Sequence, residues 1–589
     1  MAITKWDLTP LYSNEEGFNK DLESFKSLSK EAASYEGKLS EEGKLASYLR
    51  LDKKSTDLLV RLYYFASMRS DLNKKDVANA TALSKVQLAM HEASEATSFF
   101  YPEIIGIGKD KIDAFLANNP EFAEYSFIFE KLFRGQSHVL SADKEALLSA
   151  YSPILGEAGK MYSALTVADL NPGKVTLSDG KEVVVTQSNW TSLIAETKSP
   201  EDRQAIFECL YEYYDKHKST YGEIYSMGLQ SQLAVKKSRG YSSILESHLY
   251  DNAIPEEVFH NLIEVASTHS EPLKKYYRVR AKALGLAKHR SYDRFLQIAK
   301  SDKKYTYEEA REIFYKSVER FPAYFQEKAH EATKDGYVSV YPAEGKRTGA
   351  YSNGGNDLHP YILLNFNGEL DDVFTLAHEA GHSGHTLFAE ESQPSLKQDY
   401  TIFVAEIAST FNEHNLLDYL LGSGKLEKND RIFLLQKAID EIVGTFYRQT
   451  LFGHYEYILA QKAEAGEPIN HEVCSSVMVD LYKQYYGIDI TEEKLKPLVW
   501  AYIPHLFYSP FYVYQYATSF TSSMLIYERV NKGEPGAFDS YVELLRSGGS
   551  DFPVNQVKKA GVDLTSKEPF LAVVRRMEEL VDKLEAELE

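Results

Sequence analysis

Apolar residues return every three or four positions through most of this 589-residue chain, as in Leu58 to Met68 and Leu83 to Phe100. That is the period of an α-helix with one buried face, and it predicts a mainly α fold with short polar connections. Ser199-Pro200-Glu201-Asp202 sets a capping hydroxyl, a first-turn proline and two acids where helix amides stand exposed. A long helix through Tyr211 and Tyr214 is predicted to follow. Two stretches break the helical period. Lys174 to Val185 carries β-branched residues on both sides of Asp179-Gly180, which predicts a hairpin. Tyr337 to Tyr341, the turn-rich Gly345 to Gly355 and Pro360 to Phe366 predict a small sheet, with 360–366 read either as an edge strand open to an extended chain or as an ordinary buried strand. The acidic tail from Arg575 to Glu589 reads as a solvated helix.

Composition narrows the partners. The net charge of −20 argues against nucleic acid, whose phosphates need clustered positive charge. Cys209 and Cys474 stand far apart and outside any Cys-x-x-Cys pattern, so neither a disulfide framework nor a thiolate metal site is expected. Met1 to Tyr12 lacks a basic patch followed by an apolar stretch, and no apolar run approaches membrane-spanning length. The expectation is a cytoplasmic protein with no membrane partner.

The chemistry gathers in three places. Asp371 to Leu387 opens with acids at a helix start and places His378 and His382 four apart, so both imidazoles share one face about 6 Å apart along the axis. Two ligands of one zinc ion close that separation, and Glu379, rotated off the face, is then available as a base. A third ligand is expected from the next helical segment, Tyr400 to Leu417, where Glu406 is preferred. Glu413, seven residues on, suits the free N–H of a ligand histidine. His385 lies on the His378 face but cannot join the same tetrahedral ion from one helix, and is read as a packing or outer residue. His414 is rotated away from Glu413 and is expected to meet solvent. The third place is Trp500 to Tyr516, where His505, Tyr508 and Tyr512 lead as donors to a tetrahedral oxyanion.

His378-Glu379-Ala380-Gly381-His382, Ala405-Glu406-Ile407-Ala408-Ser409 and Ile503-Pro504-His505 with its following tyrosines together resemble the oligoendopeptidase F branch of the thimet-oligopeptidase-like zinc peptidases. Trp6 to Tyr12, Leu165 to Leu170, Gly345 to Tyr351 and Pro360 to Asn365 carry the likeness along nearly the whole chain. The resemblance implies a two-lobed helical shell around a deep substrate channel, with a small β-sheet next to the zinc helix and one Zn2+ per chain. It implies His378, His382 and Glu406 as metal ligands, Glu379 as catalytic base and His505 as oxyanion donor. The spacing after His505 is shifted from that of mammalian relatives, so Tyr508, Tyr512, Tyr514 and Tyr516 all stand as matches, the last two as substrate contacts. Pro510 and aromatics replace the glycine-rich loop of those relatives. The implied division is an N-terminal helical region over 1–115, an N-terminal lobe with the hairpin over 116–195 and a catalytic domain over 196–589.

The implied activity is hydrolysis of internal bonds in short unfolded oligopeptides. Two rivals remain at this point: a zinc metallocarboxypeptidase, which must anchor a free terminal carboxylate, and a non-catalytic helical peptide-binding protein with a structural zinc, which needs a fourth ligand. Oligomeric state and cleavage preference are left open.

Overall fold

The computed structural model describes residues 4–589. Helices dominate it, as the apolar period predicts, and strands form two small sheets among the described residues. The chain forms two compact units, each assembled from three stretches. The first unit takes Met1–Ser137, Asp302–Gly422 and Arg529–Gly561; the second takes His138–Ser301, Ser423–Glu528 and Val562–Glu589. These units cut across the linear spans 1–115, 116–195 and 196–589.

In the first unit, helices Glu15–Ala33, Glu42–Leu72 and Val77–Ala96 share a core of Phe18, Leu22, Phe25, Leu62, Phe65 and Val86. The helix expected over Leu83 to Phe100 ends at Ala96, and a new one, Phe100–Ile107, begins after a short break. Tyr361 and Leu363 of a three-stranded sheet close the same core. Trp6 ties the N-terminal segment to that sheet by donating from Nε1 to the Ile362 carbonyl at 2.8 Å. Lys346 seals the sheet's end: its buried ammonium donates to the carbonyls of Ser339, Tyr341 and Leu364. The conspicuous stretches Trp6 to Tyr12 and Gly345 to Tyr351 are therefore, in part, sheet fasteners.

The sheet order decides between edge and buried strand for 360–366. Leu358–Leu363 is the middle strand, parallel to Val338–Ser339 on one side and antiparallel to Tyr351–Gly355 on the other. Its apolar run, buried on both faces, suits a central position. Tyr351–Gly355 is one outer strand and Val338–Ser339 the other. Asn356 and Asp357, both with φ near +60°, form the two-residue turn between the antiparallel pair.

In the second unit the expected hairpin pairs Gly173–Thr176 with Glu182–Val185, turning at Gly180, whose φ of 85° is costly for any residue with a Cβ. The helix expected after Ser199 is Pro200–Lys216, and Asp202 N donates to Ser199 Oγ at 3.1 Å. The terminal helix, Glu568–Leu588, is not merely solvated: Phe570, Val573, Met577, Leu580, Val581 and Leu584 are buried against helices Glu271–Ala283 and Lys428–Ile442. The charges that dominate its sequence occupy the opposite face. Cys209 and Cys474 are both free thiols.

Candidate metal centre

Helix Leu370–Ser392 of the first unit starts with a reciprocal cap, in which Glu369 N donates to Asp372 Oδ2 at 2.9 Å. Two turns in, His378 and His382 face the same side, their Nε2 atoms 3.2 Å apart. Helix Ile402–Gly422 crosses this face and brings Glu406 Oε2 to 3.4 Å from His378 Nε2 and 3.5 Å from His382 Nε2. A tetrahedral zinc with ligand bonds near 2.0–2.1 Å has ligand atoms roughly 3.3 Å from one another. The three observed separations fit that donor set, and no fourth His, Cys, Asp or Glu joins the group among the described residues.

The crossing is close because position 381 is glycine. A Cβ there would stand 2.5 Å from Ala408 O and 2.6 Å from Ser409 Cα, inside van der Waals contact. Asn412 locks the pair by donating from Nδ2 to the Ala377 carbonyl at 3.0 Å. Ser409 Oγ donates to Glu406 Oε2 at 3.0 Å and fixes the carboxylate. Gly381 reads in sequence as an interchangeable position of the histidine motif; its one signal is a glycine inside a helix, which costs about 1 kcal/mol relative to alanine without a packing reason.

Glu413 stands where its spacing predicts, accepting from His378 Nδ1 at 2.5 Å. Burial pushes His378 toward its neutral form, but the Glu413 hydrogen bond and the charges of Glu413, Glu379 and Glu406 outweigh it and lift the imidazole to about 9. Glu406 shows the reverse balance: burial raises it, while His382, His378 and Ser409 together hold it down at about 2. The side chain of Glu379 is buried, and burial raises its pKa above the usual carboxylate range. Its Oε2 has no hydrogen-bond partner. His385 is a packing residue, stacked on Tyr400 with ring centroids 3.6 Å apart, and burial takes it down to about 3. His414 departs from expectation: it is 5% exposed, because helix Ile402–Gly422 is buried nearly all round.

A cleft of about 650 Å³ opens over this cluster, lined by His378, Glu379, His382, Glu406, Tyr64 and the whole edge strand Tyr351–Gly355. Ser352 and Ser383 hydroxyls meet at 2.8 Å and join that strand to the histidine helix. The edge strand was not singled out in the sequence; the Gly354-Gly355-Asn356-Asp357 turn beside it was the available signal.

The third group lies in the second unit. His505 is exposed and its ring lies parallel to that of Tyr512 with centroids 6.2 Å apart; Tyr516 meets Tyr512 edge-on at 5.5 Å. Tyr508 is 48% exposed and leans on Tyr162. Tyr514 is corrected to a core residue: it is 1% exposed, edge-on to Phe259, so it has no surface to offer a substrate. Between them Phe511 holds a φ of 54°, and its N–H donates at 2.8 Å to Glu456, a carboxyl that burial raises to about 8.

Comparison with known proteins gives the family. The sequence profile described as peptidase family M3 matches residues 193–576, and the profile described as oligopeptidase F matches residues 103–171. Oligopeptidase PepF of Bacillus subtilis is 34% identical over 99% of this chain and 87% of its own length. Group B oligopeptidase PepB of Streptococcus agalactiae is 33% identical over 99% and 96%. Among solved structures, oligoendopeptidase-F from Enterococcus faecium superposes with a TM-score of 0.75 at 25% identity, over 97% of this chain and 99% of its own. A helical body with two histidines four apart beside a glutamate, and profiles of this kind, define a metalloendopeptidase. The chain belongs to peptidase family M3, in its oligoendopeptidase F branch.

Proposed function

We propose that the protein is a zinc-dependent endopeptidase that hydrolyses internal bonds of short, unfolded oligopeptides. The observation that carries this reading is the convergence of His378 Nε2, His382 Nε2 and Glu406 Oε2 at 3.2–3.5 Å beside the unpartnered Oε2 of Glu379. His378, His382 and Glu406 would hold the ion, with Glu413 fixing the His378 ring so that Nε2 faces inward. When bound, zinc supplies a Lewis acid and a water of lowered pKa. Glu379 takes the proton of the attacking water at its free oxygen and passes it to the leaving amine, a role its raised pKa suits. His505, with Tyr508 or Tyr512, donates to the oxyanion; Tyr516, beside Tyr512, contacts the substrate.

Substrate recognition is assigned to the edge strand Tyr351–Gly355, which offers backbone groups to an extended peptide in the cleft over the cluster. Pairing of this kind reads main chain, so selectivity for side chains rests on the cleft walls. No helix among the described residues is long and apolar enough to cross a membrane. Two free thiols suit the cytoplasm as the compartment.

The test is a quenched peptide blocked at both ends, assayed with chelator and again after zinc is restored. Cleavage should stop and return. Glu406→Ala should lose stoichiometric zinc together with activity; full zinc content in that variant would remove Glu406 as a ligand.

A further inference from the structure

The cleft over the histidine cluster carries a charge that the proposed chemistry leaves idle. No lysine or arginine lines it, and beyond His378, Glu379, His382 and Glu406 its one charged side chain is Asp399.

Asp399 is held between the edge strand and the histidine helix. Gln398, just before it, is 2% exposed and grips the turn that ends the edge strand. Asp357 N donates to Gln398 Oε1 at 2.8 Å, and Gln398 Nε2 donates to Asp357 Oδ1 at 2.6 Å. Tyr400, just after it, donates its hydroxyl to the His382 carbonyl at 3.4 Å and stacks on His385. A second stretch of backbone supports the same segment: Gly549 N donates to the Lys397 carbonyl at 2.8 Å, and a Cβ on Gly549 would stand 2.0 Å from Asp399 O. Between these anchors Asp399 itself is exposed.

Its neighbours are engaged elsewhere. Lys397 donates to Ser126 Oγ at 3.0 Å. The Lys131 ammonium lies over the Phe127 ring at 4.9 Å, and among the described residues no cation stands within ion-pair distance of Asp399. Asp57 accepts from Asn356 Nδ2 at 3.1 Å, and Asp357 from Gln398. The protein walls around Asp399 raise its carboxyl above the ordinary aspartate value, ahead of the lowering by the Tyr400 N–H and, last, by the Lys131 charge. A cation arriving in the cleft would therefore meet a carboxylate whose charge is not matched in place.

A lone negative group in a cleft without cations sets a field that the low-dielectric walls concentrate. An extended peptide paired along Tyr351–Gly355 turns successive side chains to opposite faces and passes the segment held by Gln398 and Tyr400. We propose, resting on the reading of this cleft as the path of the substrate, that Asp399 selects peptides bearing a lysine or arginine side chain within a few residues of the scissile bond. Either cation donates charge-assisted hydrogen bonds to the carboxylate, an apolar side chain of the same length gains nothing from it, and a glutamate is repelled.

The experiment uses the full chain and quenched peptides blocked at both ends, of one sequence, with lysine, norleucine or glutamate placed at each position in turn. At one position kcat/KM should be about 5–20-fold higher for lysine than for norleucine, with glutamate lowest. Asp399→Asn should bring the lysine-to-norleucine ratio to about 1, and Asp399→Lys should set glutamate above lysine. Added salt should shrink the lysine advantage of the unaltered protein, a reading that needs no variant. The proposal is overturned if the unaltered protein shows no position that prefers lysine, if the preference survives Asp399→Asn, or if that variant lowers all three peptides in equal proportion. The peptide's own N-terminal ammonium is the other source of such a cation. A preference for a free over an acetylated N terminus, with none for lysine, would overturn the side-chain assignment in its favour. Failure of the peptidase reading would look different, with no peptide cut at all, norleucine included, and would take the proposal down with it.

Discussion

The histidine cluster of the first unit and the surroundings of Lys496 in the second are both buried and both crowded, yet they solve crowding differently. In the first, the ligand-type groups have opposite neighbours: His378 leans on Glu413, and Glu406 is held by His382, His378 and Ser409. In the second, buried Lys496 stands among the rings of Phe207, Tyr211 and Tyr482; behind burial, Arg294 and Arg448 push its proton off while Glu493 pulls the other way. Internal compensation leaves a pocket that is preorganised before any ligand arrives, with Glu379 Oε2 kept without a hydrogen-bond partner.

That contrast is broken most sharply at Glu379. Glu379→Gln keeps size and burial and removes the base, so kcat should fall by about 10²–10⁴-fold while zinc content, measured by atomic absorption, stays at one per chain. Retained turnover would end the claim that this oxygen is held free for proton transfer. Glu413→Gln tests the compensation itself: the ring keeps a neutral neighbour but loses the charge, and zinc affinity by competition with a chelator should drop about 10–100-fold. The pH dependence follows from the same pair. With His378 lifted to about 9 in the zinc-free protein, binding near neutral pH must displace a proton, so affinity should rise about tenfold per pH unit and level off near pH 9. Titration calorimetry in buffers of different ionisation enthalpy reads that proton, and in Glu413→Gln the plateau should move to lower pH. The elevated pKa also stabilises the zinc-free fold; this contribution is fully present below about pH 6.5 and is lost as pH rises through 9. The smallest effect is expected at the crossing. Gly381→Ala must push Ala408 and Ser409 away, costing about 1–3 kcal/mol in denaturant unfolding, with a matching fall in zinc affinity.

What could be read from the sequence was what local geometry governs. His378 and His382 are one helical turn apart whatever surrounds them, and Glu406 and Glu413 are two turns apart on the next helix, so the cluster follows from spacing once the helices are granted. The hairpin at Asp179-Gly180 is equally local. Tertiary facts were illegible. Nothing in Leu358 to Leu363 says that a neighbour pairs on each side, and so the sequence leaves edge and buried strand equally open there. Tyr514 and Tyr516 are two residues apart and look alike in sequence, but Phe259 closes over Tyr514. His414 reads as solvated until the helix carrying it proves to be enclosed. Gly381 reveals its purpose only when Ala408 is placed against it.

The division of each unit among three separate stretches governs how the chain can be made. On the ribosome, residues 1–137 emerge without 302–422, and that first body is complete only after position 561 has been synthesised. The second waits longer still, because helix Glu568–Leu588 supplies a face of its core. Neither body can close while only its first stretch has been made, so nascent apolar surface persists until helix Glu568–Leu588 has emerged, and a chain cut before that helix should yield insoluble product instead of a shortened enzyme.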